Sequence, residues 1–134
     1  MRIDANNGKL VYPELSYKIV GVLFDVYNEL GSGYQEKYYQ RGVAIRFKKQ
    51  NLKFQEQVLI KLKIEDQSIG RYFIDFVVEE KIVLELKVAN RFYTRHIKQV
   101  QGYLKSNKMK LGILAIFSSK GVKYKRILNS EVEE

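Results

Sequence analysis

The chain has 134 residues, 46% hydrophobic and 29% charged, enough to bury a core without disulfides or a structural metal. It contains no cysteine and one histidine, His96, which excludes a thiolate or His-rich metal site and leaves oxygen ligands suited to Mg²⁺ or Mn²⁺. Twenty-four Lys and Arg against 15 acids give a net charge of +9 and a pI near 9.6, a balance that favours polyanions through counterion release.

In chain order, residues 1–10 with Asn6-Asn7-Gly8 read as a loose start. Pro13 suits a first helical position, and a helix follows to Leu30 with Leu15, Ile19, Leu23, Val26 and Leu30 on one stripe. Gly31-Ser32-Gly33 stops it, and a second helix covers about Tyr34 to Lys49, its inward stripe being Tyr39, Val43 and Phe47. Phe54 to Ile64 alternates through Val58, Ile60, Leu62 and Ile64, a strand with one wet face. Glu65 to Gly70 reads as a turn-rich break. Arg71–Val78 and Ile82–Val88 are two further strands joined at Glu79-Glu80-Lys81.

A third helix runs from about Thr94 to Lys105 with Ile97, Val100 and Leu104 facing inward. Leu111 to Phe117 is an almost unbroken apolar run, expected of a strand buried on both faces. Val122 to Leu128 is a last strand whose Lys123, Lys125 and Arg126 suit an exposed edge. The expected fold is mixed α/β (α+β), one domain over residues 1–134, ordered α-α-β-β-β-α-β-β, with a central mixed sheet flanked by helices. No apolar run is long enough to span a bilayer and no N-terminal signal is present, so no membrane partner and a cytoplasmic location are expected.

The chemistry lies in charges that interrupt apolar strands. Asp75 is central in Tyr72-Phe73-Ile74-Asp75-Phe76-Val77-Val78. In Ile82-Val83-Leu84-Glu85-Leu86-Lys87-Val88, Glu85 and Lys87 share one face, and Leu84, Leu86 and Val88 the other. Buried charges are costly unless paired or metal-bound. A three-residue loop at Glu79-Glu80-Lys81 sets Asp75 across from Glu85, with Cβ atoms roughly 5 Å apart. Carboxylates that close repel unless a cation lies between them. Lys87, roughly 7 Å further along the same face, can reach a phosphate or the attacking water. Glu-x-Lys on a half-exposed strand is also an ordinary surface pair.

Glu36 falls on the stripe of Tyr39, Val43 and Phe47 and points inward, although the helix dipole alone favours an acid there. Gln99 lies one turn from His96 and Tyr103. That strip is either solvent-facing, as expected for His96, or in the case of Gln99 directed at the site.

Gly33-Tyr34-Gln35-Glu36-Lys37-Tyr38-Tyr39, following Asn28-Glu29-Leu30-Gly31, reads as G-x-x-E-x-x-Y. With Phe73-Ile74-Asp75, Glu85-Leu86-Lys87 and the Q-x-x-x-Y-L run Gln99–Leu104, it resembles the GxxExxY protein family of the PD-(D/E)XK nuclease superfamily, restriction-endonuclease-like in fold. The likeness spans about Leu15 to Leu128; Ile74 stands where the motif often has proline.

The resemblance implies that Asp75 and Glu85 hold Mg²⁺ or Mn²⁺ with the Leu86 carbonyl, and with Glu36 as a further candidate ligand. Lys87 would assist the nucleophilic water, Glu36 would be the helix-borne acid and Gln99 a supporting polar residue. The activity expected is metal-dependent phosphodiester hydrolysis, in DNA, directed by structure or ends rather than by sequence. A homodimer would address both strands of a duplex. The alternative is a catalytically inactive module of the same fold that binds nucleic acid or regulates a partner.

Overall fold

Hydrophobic periodicity and turn residues together set the elements of the computed structural model, which describes residues 2–3 and 11–131. They are β1 (Arg2–Ile3), α1 (Pro13–Leu30), α2 (Glu36–Lys49), β2 (Phe54–Ile64), β3 (Gln67–Val78), β4 (Ile82–Val88), α3 (Thr94–Asn107), β5 (Leu111–Ser118) and β6 (Gly121–Leu128). The sheet has the order β1-β6-β5-β4-β3-β2. Only β4 and β5 run parallel, because the connection between them is the helix α3; all other neighbours are antiparallel.

The helices divide the core in two. On one face, α1 and α2 bury Ile19, Leu23, Val43 and Phe47 against Phe76, Leu84, Leu86, Ile113 and Ala115. On the other, α3 buries Val100, Tyr103 and Leu104 against Ile74, Val83, Leu114 and Ile127. Residues 111–117 are therefore covered from both sides, as their apolar run requires.

Four sequence expectations change. The break expected over Glu65–Gly70 shrinks to Glu65-Asp66, whose φ values of 51° and 64° make a two-residue hairpin turn, and β3 starts at Gln67. Its outer half is wet on both faces, so no apolar alternation marked it as strand. The second helix begins at Glu36 rather than Tyr34, because Gln35 is extended (φ −69°, ψ 152°). Arg2 and Ile3 within the expected loose start form β1, and residues 4–10 lie outside the described residues. β1 pairs with Ile127 and Leu128, so β6 is an open edge only along its earlier part.

Candidate active site

The site arises where the ladder between β3 and β4 stops. Register is as the three-residue loop requires, with Val78↔Ile82, Val77↔Val83 and Phe76↔Leu84 paired. The next pair by count, Asp75 and Glu85, is not joined by ladder bonds. Instead the Asp75 N–H donates to Glu85 Oε1 at 3.0 Å, and the Leu86 N–H donates to Asp75 Oδ2 at 2.8 Å. Two carboxylates thus replace the backbone carbonyls that would have continued the sheet, and they hold the strands apart as a wedge.

The neighbouring strand shows the same interruption. Glu56↔Phe76 and Val58↔Ile74 pair, while Gln57, with φ +50°, breaks the alternation opposite Asp75. The faces swap there: Ile74 belongs to the core under α3, whereas Phe76, two residues on, belongs to the core under α1 and α2. A regular strand would place both on one face. Asp75 sits at that kink, 5% exposed, with Glu85 2% exposed.

Three of the pair's four oxygens accept hydrogen bonds, and the fourth has an ion-pair partner. Asp75 Oδ1 accepts from Gln40 Nε2 at 2.8 Å and from Gln57 Nε2 at 3.4 Å. Lys87 Nζ lies 3.6 Å from Glu85 Oε2. Gln40 also reaches Glu36 Oε2 at 3.2 Å, joining the helix acid to the strand acid. Glu36, Asp75, Glu85 and Lys87 are therefore brought together, as the sequence led one to expect.

Burial is the main cause of the electrostatics. Desolvation and then the Asp75 charge push the Glu85 carboxyl up to about 8. Asp75 is raised by burial, with the Leu86 N–H opposing. Glu36 is raised by burial, opposed first by Lys87.

A hard divalent cation fits this donor set. Among the described residues no three His, Asp or Glu side chains form a metal cluster, but Mg²⁺ commonly takes one or two carboxylates with water and phosphate oxygens. Asp75 and Glu85 supply two. The Leu86 carbonyl lies on the same strand edge as its N–H, which already faces Asp75.

Gln99 is placed differently. Its carbonyl accepts the Tyr72 hydroxyl at 2.9 Å, and among the described residues its amide bonds none of the four charged groups. Gln40, which sequence reading missed, makes the contacts to both acids. Its signal was available: it lies four residues after Glu36, one helical turn on. His96, expected to face solvent, is half-buried edge-on to Tyr93, with its Nδ1 buried and lacking a hydrogen-bond partner among the described residues.

The helix acid owes its position to the tyrosine three residues after it. Tyr39 stacks on Phe117 with ring centroids 4.3 Å apart, and its hydroxyl donates to the Gly31 carbonyl. That bond fastens the turn between α1 and α2, where Gly31 (φ +76°) and Gly33 (φ +94°) take left-handed backbone, and so sets where α2 begins.

The fold is similar to SSO0001, a protein of known structure, with a TM-score of 0.54 and 17% identity over 88% of this chain; the match covers 60% of that one. It also resembles an alkaline exonuclease (LHK-Exo) from Laribacter hongkongensis, with a TM-score of 0.48 and 10% identity over 87% of this chain and 83% of that one. No curated protein matches the sequence. The family model of the PD-(D/E)XK nuclease superfamily matches residues 13–127, a span that includes Glu36, Asp75, Glu85 and Lys87. The chain belongs to the PD-(D/E)XK nuclease superfamily.

Proposed function

We propose that the chain is a nuclease that hydrolyses phosphodiester bonds in DNA with Mg²⁺ or Mn²⁺, and that it is of the GxxExxY type. The observation that carries this reading is the buried Asp75–Glu85 pair, fixed to the backbone of the opposing strand with Lys87 beside it. Asp75, Glu85 and the Leu86 carbonyl would hold the cation, with Glu36 close behind. Bound there, the cation would supply Lewis acidity toward a phosphoryl oxygen and a lowered pKa for water.

Lys87 holds an ammonium at the mouth of the wedge. There it orients the attacking water and offsets negative charge building on the phosphoryl oxygens as the water–phosphorus bond forms and the bond to the leaving oxygen breaks. Gln40 keeps Asp75 and Glu36 in fixed relation. Gln99 we assign a supporting place near Tyr72. The basic surface suits the phosphate backbone, so recognition would rest on DNA structure or ends rather than base edges.

One observation favours a second reading. Every oxygen of Asp75 and Glu85 already has an intrachain partner, as expected of a pair retained for structure in a binding module.

The test is incubation of plasmid, linear, branched and single-stranded DNA, and RNA, with Mg²⁺ or Mn²⁺, comparing the native chain with Glu85→Ala and Lys87→Ala. Cleavage that both substitutions abolish supports the enzyme. Binding with no cleavage under either metal would move the assignment to the module. No helix of the described residues is long and apolar enough to cross a membrane.

A further inference from the structure

Beyond Asp75, β2 and β3 leave the rest of the sheet. β3 pairs with β4 only at Phe76, Val77 and Val78, whereas β2 and β3 stay paired from Phe54↔Val78 out to Ile64↔Gln67. The outer part is a two-stranded arm. On one of its faces Val58, Ile60, Tyr72 and Ile74 pack toward α3, and the Tyr72 hydroxyl bonds Gln99.

The opposite face carries, in ladder order outward from the site, Gln57 and Asp75, then Leu59↔Phe73, then Lys61↔Arg71. Leu59 is 41% and Phe73 48% exposed. Beyond Asp75, which α2 reaches through Gln40, the face is exposed at Leu59, Phe73, Lys61 and Arg71.

Two features of that face are left unsatisfied by the chain's own packing. Lys61 lies directly across from Arg71, and like charges in that position destabilise a sheet. Neither has an ion-pair partner among the described residues. An apolar cross-strand pair with a half-exposed phenyl ring sits between this basic pair and the candidate catalytic carboxylate. Both features become favourable if an anionic strand with planar bases lies along the face: the cations meet phosphate and the ring stacks on a base. Same-face residues are about 7 Å apart along a strand, so the cations stand about 14 Å from Asp75.

We propose that this face of the β2–β3 arm is a track for the nucleic-acid strand on one side of the bond to be cut, with Phe73 and Leu59 as a base platform and Lys61 and Arg71 as a phosphate clamp. The proposal rests on the nuclease reading and adds a direction to it. The strand leaves the wedge along the arm, and substrates that extend about two ladder steps from the cut are held more tightly than shorter ones.

The experiment is fluorescence anisotropy in EDTA, so that nothing is cut, with a fluorescein-labelled single strand of about twelve nucleotides and an otherwise identical dinucleotide, whose single internucleotide phosphate cannot occupy the wedge and the clamp at once. Lys61→Glu/Arg71→Glu, Lys61→Gln/Arg71→Gln and Phe73→Ser are compared with Lys18→Glu/Lys49→Glu. The last double variant makes the same charge change at exposed positions on α1 and α2.

For the twelve-nucleotide strand the arm variants should raise Kd about tenfold. The glutamine pair should also lower the slope of log K against log salt by about 1.4, the value for two phosphate contacts on a single strand. The α1/α2 variant should change Kd much less. Equal losses in both charge-reversed variants, or arm variants within twofold of native, would overturn the track while leaving the nuclease reading intact. A native chain that neither binds nor cuts any nucleic acid overturns both. A native dimer that Phe73→Ser turns into a monomer overturns the track as well, because a second copy would then cover the face. Thermal melts of each variant establish that the affinity change is read on folded protein, and the glutamine pair stands in should charge reversal unfold the arm.

Discussion

Asp75 donates its backbone N–H to the Glu85 carboxylate at 3.0 Å, so the two acids are joined at the point where the ladder between their strands ends. The bond sets a buried carboxyl beside a second one and makes their protonation part of the fold.

The consequence is a stability that depends on pH. Glu85 is raised from 4.5 to about 8 by burial and by Asp75. A carboxyl that keeps its proton longer in the folded state binds more protons there than in the unfolded chain. Its contribution is full below about 4.5 and is lost as pH rises through about 8. Asp75 and Glu36 act in the same direction, and His96, lowered by burial and then by Lys87, acts in the opposite one near its own range. Thermal melts in EDTA should therefore show the midpoint falling from pH 5 to 8.5, with Glu85→Gln removing most of the fall. Native and variant curves that run parallel would refute the assignment.

A divalent cation should reverse that loss. At pH 8.5 both carboxyl groups are forced toward the charged form, and a cation between them binds the folded chain alone. At a hundredfold excess over its Kd, Mg²⁺ or Mn²⁺ should add about 2.7 kcal/mol to the unfolding free energy. Asp75→Asn and Glu85→Gln should each abolish the gain, measured as the shift in melting midpoint against metal concentration. A gain that persists in both variants would place the cation elsewhere.

Gln40 should behave as a positioning residue. It bonds Glu36 and Asp75 at once and carries no charge. Gln40→Ala should lower kcat about tenfold, in keeping with the loss of one positioning contact to a catalytic group, and raise the metal concentration needed for half-maximal activity, with excess metal restoring part of the loss. Gln40→Glu should do worse, because it places a third negative charge beside Asp75. A role confined to helix stability would leave the metal dependence untouched.

The elements and the charged quartet were legible because each follows a short-range rule. Leu15 to Leu30 mark a helical stripe, and Glu85 and Lys87 interrupt a strand at period two. The odd loop at Glu79-Glu80-Lys81 fixed the register that the structure shows. What sequence could not carry was the break in that register. The swap of faces between Ile74 and Phe76 depends on Gln57 of another strand taking a left-handed backbone, and nothing in the Phe54–Ile64 pattern signals it. For Gln40 only half of the relation is local: Glu36 lies one helical turn before it, but its other partner, Asp75, lies 35 residues away. Gln99, read from a helical strip, contributes its carbonyl to Tyr72.

The closeness of α3 to the sheet gives a stability prediction away from the site. Gly112 sits on β5, paired with Val83, beneath α3. A Cβ placed there runs into Val100 Cγ1 and comes within 3.5 Å of Leu104 Cδ1. Val100 is fully buried and branched at Cβ, so it has little room to turn aside. Gly112→Ala should therefore destabilise by about 1–3 kcal/mol through overpacking, despite the better strand propensity of alanine over glycine. Urea unfolding of Gly112→Ala, Val100→Ala and the double variant tests the cause. If the clash is with Val100, the double variant should be less destabilised than the sum of the two, by more than about 0.5 kcal/mol. Strict additivity would mean that α3 yields as a whole. In that case Gly112→Ala should also disturb the Tyr72–Gln99 bond at the edge of the site, which changed hydrogen exchange in α3 would reveal.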